Sequence, residues 1–328
     1  MEQRGTSLSA VYEERLQMLE RADALGFWCY HKAEHHFINL DSAPSANVFL
    51  AAASQRTSTL RFGPLVYLLP FYHPIRLLEE ICALDNLCQG RLEIGIGKGI
   101  SPPEHAKWGL DPANARDQFE EAFDILLDGL ADGRVDHDGA FYHFDNVDVN
   151  MRTYQGRMPG LWYPGNVEYA ADNRLNTVVG GTSSDLAAKV DTFKTGLASP
   201  SRDANPGVPA PVLAVRRHVF LAKNDELADA RVARAYRVYH QNLAHLWRLH
   251  NVPFPNRDPS FGGDMHAAMA AHDLVVGSPD TVAAHIQSLV DAGDLEYLIA
   301  SFAWGDLTHA ESMASIELFA REVMPRFT

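Results

Sequence analysis

Short runs of apolar, β-branched and aromatic residues alternate along the chain with longer segments whose apolar positions recur at helical spacing. Residues 9–27 predict a helix, because apolar side chains recur every three or four positions and Gly26 supplies a C-terminal stop. Strands are predicted for the runs FWCYH, LRFGPLVYLLP, RLEIGIGKG, LWY, NTVVGG, VRRHVFLA and EYLIASFA. This rhythm, without a break in composition, predicts parallel strands joined by crossover helices.

Two architectures of the α/β class fit this order: a closed (β/α)8 TIM barrel and an open, doubly wound sheet. The barrel is favoured, because 328 residues suit a single barrel domain over 1–328 and polar residues follow several different strands. In a barrel the carboxyl ends of all strands converge on one site. Two stretches, near residues 130–160 and 235–275, depart from the rhythm and are predicted to be insertions that cover the active-site face.

The formal net charge of −14 argues against nucleic-acid partners and against anionic membrane surfaces. Three cysteines (Cys29, Cys82 and Cys88) cannot form a disulfide framework and suit a reducing compartment. The first residues lack the apolar core of a signal peptide, and no run approaches about 20 uncharged apolar residues. These features predict a soluble cytoplasmic protein.

The triplet Glu34, His35 and His36 stands where the first predicted strand should end. Three interpretations compete: a metal site, a catalytic base and a solvated polar loop. Adjacent strand residues point to opposite faces, so the two histidines would not readily share one ion, and no metal is expected. A single histidine at a strand end is well suited to act as a catalytic base, because its ordinary pKa of about 6.5 lets it move protons near neutral pH.

Two glycine-containing turns are candidate phosphate sites. GIGKG, residues 95–99, follows a strand but departs from the dinucleotide-binding pattern G-x-G-x-x-G, because position 100 is isoleucine. What remains is a turn whose backbone N–H groups can approach a ligand, with Lys98 as a point charge. YPGNVEYAA, residues 163–171, predicts a strand end, a loop and a helix start that can seat a phosphate. Either turn is also explained as a surface loop.

With these features in order, the sequence resembles the bacterial luciferase-like, flavin-dependent monooxygenase family over nearly its whole length. The similarity rests on ADALGFWCYHKAEHHF, on RFGPLVYLLPFYHPIRLLEEICALDNLCQGRLEIGIGKG, on YQGRMPGLWYPGN, and on VGSPDTVAAHIQSLVDAG with SIELFAREVMPRF. The resemblance implies a (β/α)8 barrel that binds reduced flavin at the carboxyl ends of its strands. It also implies a strand before the first helix, which is missing from this chain. We therefore expect either a barrel with a gap or, as the favoured hypothesis, a native chain that starts earlier.

The resemblance also assigns residue roles. His35 falls on the family's catalytic histidine, Lys98 on a position that contacts the flavin phosphate, and Gly97 on luciferase's reactive cysteine. Leu65 and Val66 fall on a segment beside the isoalloxazine ring, where relatives can carry an unusual cis peptide. The expected cofactor-binding residues are Glu34, Leu65, Val66, Gly97, Lys98, Gly165, Asn166 and Val167. The expected substrate-pocket residues are His36, Phe37, Tyr72, His73, Tyr163 and Trp304.

The implied activity is that of an alkanal monooxygenase-like enzyme, which uses reduced FMN and O2 to oxygenate a small, mainly apolar substrate. A separate flavin reductase is expected to supply reduced FMN, because the sequence leaves no room for a nicotinamide site. A homodimer is expected through early helices such as residues 74–90. Two alternatives remain: a deazaflavin-dependent oxidoreductase on the same barrel, and a non-catalytic flavin-binding protein. A metal-dependent hydrolase would need ligands at several strand ends, and the sequence does not offer them.

Overall fold

The computed structural model describes residues 6–154, 156–180, 183–253, 264–271, 273–293 and 295–327, and these have the alternating order that the sequence predicts. The helices are α1 (Leu8–Ala24), α2 (Ala46–Ser54), α3 (Pro74–Leu87), α4 (Pro102–Lys107), α5 (Ala115–Asp132), α6 (Val167–Asp172), α7 (Leu186–Leu197), α8 (Asp225–Leu243), α9 (His245–Leu249), α10 (Met265–Ala270), α11 (Pro279–Gly293) and α12 (His309–Glu322). The strands are β1 (Cys29–Lys32), β2 (Arg61–Pro64), β3 (Tyr67–Leu68), β4 (Glu93–Gly97), β5 (Arg134–Asp138), β6 (His143–Asp148), β7 (Gly160–Trp162), β8 (Thr177–Val179), β9 (Leu213–Leu221), β10 (Leu274–Gly277) and β11 (Tyr297–Ser301).

Parallel pairing runs through most of the strands. β1 pairs with β2, β4 pairs with β3 and β7, and β9 pairs with β8, β10 and β11. Single bridges from Phe62 to Leu92 and from Trp162 to Asn176 connect these groups into one order. Helices that follow one another along the chain are in contact, among them α1 with α2, α2 with α3 and α11 with α12. The last helix, α12, returns to contact α1. This is the layout of a β/α barrel, with strands inside and helices outside.

The predicted closed barrel is seen only in part. Among the described residues, no backbone pairing joins β1 to β11, so the strands do not close into a hydrogen-bonded ring. The two strands are nevertheless neighbours, because the Tyr297 hydroxyl oxygen lies 2.9 Å from His31 Nε2 and the Trp28 and Tyr297 ring centroids are 5.3 Å apart. Residues 1–5 lie outside the described part of the chain, so the expectation about a missing first strand stays a prediction.

Inward-facing side chains fill the amino-terminal half of this strand layer. Trp162 Nε1 donates to Glu93 Oε2 at 2.9 Å, and Arg61 pairs with Glu93 Oε1 at 2.6 Å. The Trp162 ring lies 5.2 Å from His31 and 5.4 Å from Tyr297, measured between centroids. We call these five residues the interior plug. The plug fills the amino-terminal half of the strand layer. A ligand inside the described strands would therefore have to lie towards their carboxyl ends.

The opposite faces of the strands form the main apolar core against the helices. Alternate strand residues must face this layer, because successive side chains on a strand point to opposite sides. The core includes Phe62, Ile94, Ile96, Leu161 and Val215 from the strands, and Leu78, Ile81, Phe123, Leu289 and Phe319 from the helices.

Two predicted segments differ from the structure. Residues 134–148 form an antiparallel hairpin, β5 with β6, where the sequence predicted an irregular stretch. Tertiary contact compensates for the weak strand pattern, because the Glu121 carboxylate on α5 accepts backbone N–H groups from residues 140–142. The run LRFGPLVYLLP forms two strands, β2 and β3, because residues 65 and 66 between Pro64 and Tyr67 leave the strand conformation.

The second predicted insertion, near residues 235–275, contains the end of α8 together with α9 and α10. Residues 254–263 and 272 of that stretch lie outside the described residues. That the two insertions cover the active-site face therefore stays a prediction.

Candidate functional site

Two buried carboxylates fix the segment that follows β1. Glu34 Oε1 lies 2.8 Å from His36 Nε2, and Glu34 Oε2 accepts a 2.8 Å hydrogen bond from the Tyr72 hydroxyl. Glu104, at the start of α4, accepts the backbone N–H of His36 at 2.8 Å. Burial raises the pKa of the Glu104 carboxyl. The side chain and the backbone of His36 are thus held by separate acidic groups.

An aromatic group surrounds the His36 ring. Its centroid lies 5.2 Å from Trp108, 5.7 Å from Phe71 and 5.9 Å from Phe37. Phe37 and Trp108 are about half exposed, at 51% and 46%. We call His36, Phe37, Phe71 and Trp108 the aromatic rim. We call the carboxyl-terminal end of the strand layer the mouth. The aromatic rim gives the mouth an apolar surface that can contact a substrate.

His35 lies between Glu34 and His36 and is half-buried. Burial lowers the pKa of His35 to about 4, and the nearby Asp41 carboxylate only partly opposes this effect. The imidazole is therefore neutral at pH 7 and offers one N–H donor and one acceptor nitrogen. Asp41 itself forms a buried ion pair with Lys32 at the end of β1.

Residues 64–66 cross over the two glycines of β4, Gly95 and Gly97. The Leu65–Val66 peptide bond is cis, as the resemblance implied. A Cβ on Gly97 would stand 2.8 Å from Val66 Cγ2, and one on Gly95 would stand 2.4 Å from the Pro64 oxygen. Only glycine allows this close approach, because the Pro64 carbonyl group and the Val66 side chain occupy the space that side chains of β4 would need.

Lys98 follows β4 and is half-buried. His105 holds its turn in place, because His105 Nε2 lies 2.9 Å from the Lys98 carbonyl oxygen and Nδ1 lies 3.0 Å from that of Ser101. The turn therefore has a fixed backbone with a cationic side chain at its edge. This geometry suits one phosphate group.

The second predicted phosphate loop follows β7. Gly165 has φ +90° and open space where a Cβ would lie. The Asn166 side chain accepts the Tyr169 N–H at 2.8 Å and so caps α6, while Val167 is buried. Tyr163 faces the helical layer, and its hydroxyl accepts a 3.0 Å hydrogen bond from Arg116.

The remaining predicted pocket residues separate into two groups. Tyr72 is linked to His36 through the Glu34 carboxylate, and Phe37 lies beside the His36 ring. His73 is exposed at the start of α3, with its ring 5.5 Å from Phe144 on the hairpin. Trp304 is only 2% exposed, and its Nε1 donates to the Val219 oxygen. The structure thus places His73, Tyr163 and Trp304 in other contacts than the His36 group.

Sequence reasoning missed Glu104 and Trp108 at the mouth, and Glu93 and Tyr297 in the plug. Glu104 carried one usable signal, a carboxylate in the first turn of a helix that follows a glycine-rich turn. Inward-facing residues of the plug could not be assigned, because parallel strands are buried on both faces and their sequences do not show which side chains face inward.

His31 leads to a prediction about acid stability. Burial lowers its pKa to about 3, whereas an unfolded histidine has a pKa of about 6.5. Below pH 6.5 the unfolded state takes up a proton that the folded state refuses, so stability falls from pH 6.5 towards pH 3. Between pH 7.5 and 4.5 the free energy of unfolding, measured with urea, should fall by about 2 kcal/mol less in His31→Phe than in wild type. His143→Phe, at an exposed site, should behave as wild type; equal acid sensitivity in all three proteins would contradict the assignment to His31.

Among the helices of the described residues, none combines the length and the apolar character that spanning a bilayer requires. The described residues also contain no group of three or more His, Cys, Asp or Glu side chains placed to hold a metal ion.

The model of the luciferase-like monooxygenase family matches residues 1–296, and the chain belongs to that family. Uncharacterized protein y4wF of Sinorhizobium fredii is 33% identical over 332 residues, covering 99% of this chain and 95% of that protein. Limonene 1,2-monooxygenase of Rhodococcus erythropolis is 26% identical, with 97% and 82% covered. The oxygenase component of flavin-dependent trigonelline monooxygenase from Acinetobacter baylyi is also 26% identical, with 97% and 90% covered.

Solved structures share the fold. Monooxygenase RslO1 from Streptomyces bottropensis superposes with a TM-score of 0.86 at 23% identity, covering 98% of this chain and 95% of that one. The oxygenating constituent of 3,6-diketocamphane monooxygenase from Pseudomonas putida, in complex with FMN, gives 0.80 at 21% identity, with 99% and 96% covered. The coenzyme F420 dependent tetrahydromethanopterin reductase from Methanopyrus kandleri gives 0.69 at 20% identity, with 96% and 95% covered.

Proposed function

We propose that this chain is a flavin-dependent monooxygenase that uses reduced FMN and O2 to oxygenate a small organic substrate with a mainly apolar body. The observation that carries the proposal is the convergence of three features at the carboxyl ends of neighbouring strands. These are the neutral imidazole of His35, the segment of residues 64–66 where Val66 lies on Gly97, and the cationic turn at Lys98. Family membership adds the chemical class.

The residues present fit the flavin on stereochemical grounds. Leu65, Val66 and Gly97 would lie against the flat ring, because no side chain from β4 intervenes. Lys98 and the loop of residues 165–167 would hold the phosphate through charge and backbone N–H groups. When bound in its reduced form, FMN supplies the electrons that activate O2 for transfer of one oxygen atom.

The side chains around that position have distinct tasks. His35, being neutral, donates or accepts one hydrogen bond and moves a proton at its free ring nitrogen. Glu34 would lie close to the flavin, and its carboxylate keeps Tyr72 and His36 in place. The aromatic rim, which includes Phe37, binds the apolar part of the substrate and excludes water from the reacting atoms.

The proposal extends to partners. The trigonelline relative is named as an oxygenase component, which supports a separate reductase as the source of reduced FMN here. We also propose a cytoplasmic homodimer that uses α3, whose Leu87 side chain is 49% exposed. The place of His73, Tyr163 and Trp304 in the substrate pocket stays part of the proposal.

The deciding experiment combines flavin binding with oxygen transfer. The purified protein is titrated anaerobically with reduced FMN, then supplied with a flavin reductase, labelled molecular oxygen and a panel of aldehydes, ketones, terpenes and thioethers. Incorporation of label into one compound class supports the proposal. Binding of FMN without incorporation across the panel indicates a non-catalytic flavin protein. Preference for a deazaflavin over FMN points to the hydride-transfer alternative, for which the F420-dependent structural neighbour is the supporting observation.

Lys98 provides a test of the phosphate site. Lys98→Ala should weaken reduced-FMN binding about tenfold or more, since a charge-assisted hydrogen bond contributes about 1.5–3 kcal/mol. Binding of riboflavin, which lacks the phosphate, should change by less than about twofold. Lys223→Ala removes an exposed lysine after β9 and serves as the charge-matched control. An equal loss of riboflavin and FMN affinity would exclude a phosphate role for Lys98.

A further inference from the structure

The chain between β1 and α2 carries Glu34, His35, His36 and Phe37. We call residues 33–41 of this connection the histidine loop, and they form neither helix nor strand. A segment without the hydrogen-bond ladder of a helix or sheet keeps one conformation only when side chains and the residues at its ends fix it. The residues that hold the ends of the histidine loop therefore decide where its imidazoles lie.

A buried ion pair closes the histidine loop. Lys32 is the last residue of β1 and Asp41 is the last residue of the loop. Lys32 Nζ lies 2.5 Å from Asp41 Oδ2, and each side chain is only 2% exposed. Lys32 Nζ also donates to the carbonyl oxygen of Ala33, so one ammonium group contacts both ends of the loop. Separating the two charges would leave each of them buried without its partner, which is strongly unfavourable.

Each member of the ion pair is also attached outside the histidine loop. The Lys32 carbonyl oxygen accepts the Leu65 N–H at 2.7 Å, which joins it to the segment of residues 64–66. Asp41 Oδ1 accepts the Ala43 N–H at 3.0 Å on the approach to α2. The pair thus connects the loop to the strand layer on one side and to the helix layer on the other.

His35 lies close to both charges. Burial lowers the pKa of His35 to about 4, while the Asp41 carboxylate raises it and the Lys32 ammonium lowers it. Because two opposite charges in contact largely cancel at a third group, their direct effect on the imidazole is small. The depth at which the loop holds the imidazole has no such compensation.

We infer that Lys32 and Asp41 are positioning residues, whose ion pair acts as a clasp that holds the histidine loop closed and keeps the His35 imidazole buried at the mouth. Neither side chain has to contact substrate or flavin for this role. The expected effect on oxygenation rests on the proposed function, whereas the burial of His35 is measurable without flavin.

The first test is an NMR titration of His35 in the flavin-free, histidine-labelled protein. Lys32→Met/Asp41→Asn removes both charges together, so no buried charge is left uncompensated, and asparagine retains an acceptor for the Ala43 N–H. Neighbouring charged groups such as Glu34 stay in place. Opening of the clasp should hydrate the imidazole and raise the pKa of His35 from about 4 towards its ordinary value of about 6.5.

The single variants separate a clasp from a direct effect of charge. If the loop keeps its position, Lys32→Met should raise the pKa of His35, Asp41→Asn should lower it, and the double variant should resemble wild type. That pattern, or a His35 pKa that is the same in all variants and wild type, would overturn the inference. Arg202→Met/Asp124→Asn removes a half-exposed ion pair elsewhere and is the matched control, which should leave the His35 titration unchanged.

Oxygenation provides the second readout. With saturating reduced FMN, Lys32→Met/Asp41→Asn should turn over about 10- to 100-fold more slowly, because a small displacement of a reacting group has effects of this size. Reduced-FMN affinity should stay within about threefold of wild type, since the clasp does not hold the phosphate. A raised His35 pKa with a wild-type kcat would overturn the positioning role.

Failure of the proposed function is distinguishable from failure of the clasp. If wild type oxygenates no compound, the proposed function fails, and the NMR titration still decides whether Lys32 and Asp41 hold His35 in place. Thermal unfolding confirms that each variant compared is folded.

Discussion

Replacing His35 with alanine is expected to lower the rate of oxygenation by about 100- to 10,000-fold, the range that a positioned acid–base group contributes. Reduced-FMN affinity should stay within about threefold of wild type, because His35 acts on protons and not on the phosphate. The measurement is product formation under saturating reduced FMN, with flavin binding measured separately. His143→Ala, which removes an exposed imidazole on β6, is the matched control and should retain full activity.

The pH dependence refines this expectation. Burial lowers the pKa of His35 to about 4, so the ring is neutral through the physiological range and becomes protonated only as the pH falls through about 4. If the neutral ring is the active form, kcat/KM should show no His35-dependent loss near pH 6.5. A wild-type profile that falls near pH 6.5, with His35→Ala lacking that limb, would contradict the assigned environment.

Removing the Glu34 carboxylate should have the largest effect on stability. Glu34→Ala leaves the Tyr72 hydroxyl and His36 Nε2 without their shared acceptor in a buried place, which costs about 3 kcal/mol in free energy of unfolding. Glu34→Gln keeps the shape and one acceptor oxygen, and should cost about 1 kcal/mol. Urea unfolding monitored by circular dichroism measures both values.

The control for this comparison is Glu79→Ala, which removes an exposed carboxylate from α3. A surface substitution of this kind should change the unfolding free energy by less than about 0.5 kcal/mol. If Glu34→Ala were no more destabilising than Glu79→Ala, the Glu34 network would not be a structural element of the mouth. Activity that fell in Glu34→Ala with unchanged stability would instead assign Glu34 to the reaction itself.

The order of elements could be predicted from the sequence, because periodicity and terminal residues act locally. The helix expected over residues 74–90 forms as α3, which starts at Pro74, and β4 ends at Gly97 within the predicted GIGKG turn. The hairpin of β5 and β6 could not be predicted, since its strands are mostly exposed and a carboxylate of α5 fixes its turn. Local pattern carries no information about such tertiary contacts.

The residues of the candidate site show the same difference between local pattern and tertiary contact. Glu34, His35 and Lys98 could be selected from sequence because each stands at a strand end, a position with a chemical meaning in parallel β/α folds. The pocket roles of Trp304 and Tyr163 stay predictions, because aromatic character does not reveal which face of a strand or loop a ring occupies. Glu104 acts through the backbone N–H of His36, a contact that residue type alone cannot indicate.

The interior plug has a consequence for how this protein can acquire new specificities. Trp162, Glu93 and Arg61 tie three strands together at the end opposite the mouth, so the scaffold is secured independently of the loops. Variation at Phe37 or Trp108, which are about half exposed, therefore alters a surface that lies away from the plug. Directed evolution limited to the mouth should retain folded variants at a much higher frequency than libraries that include the plug.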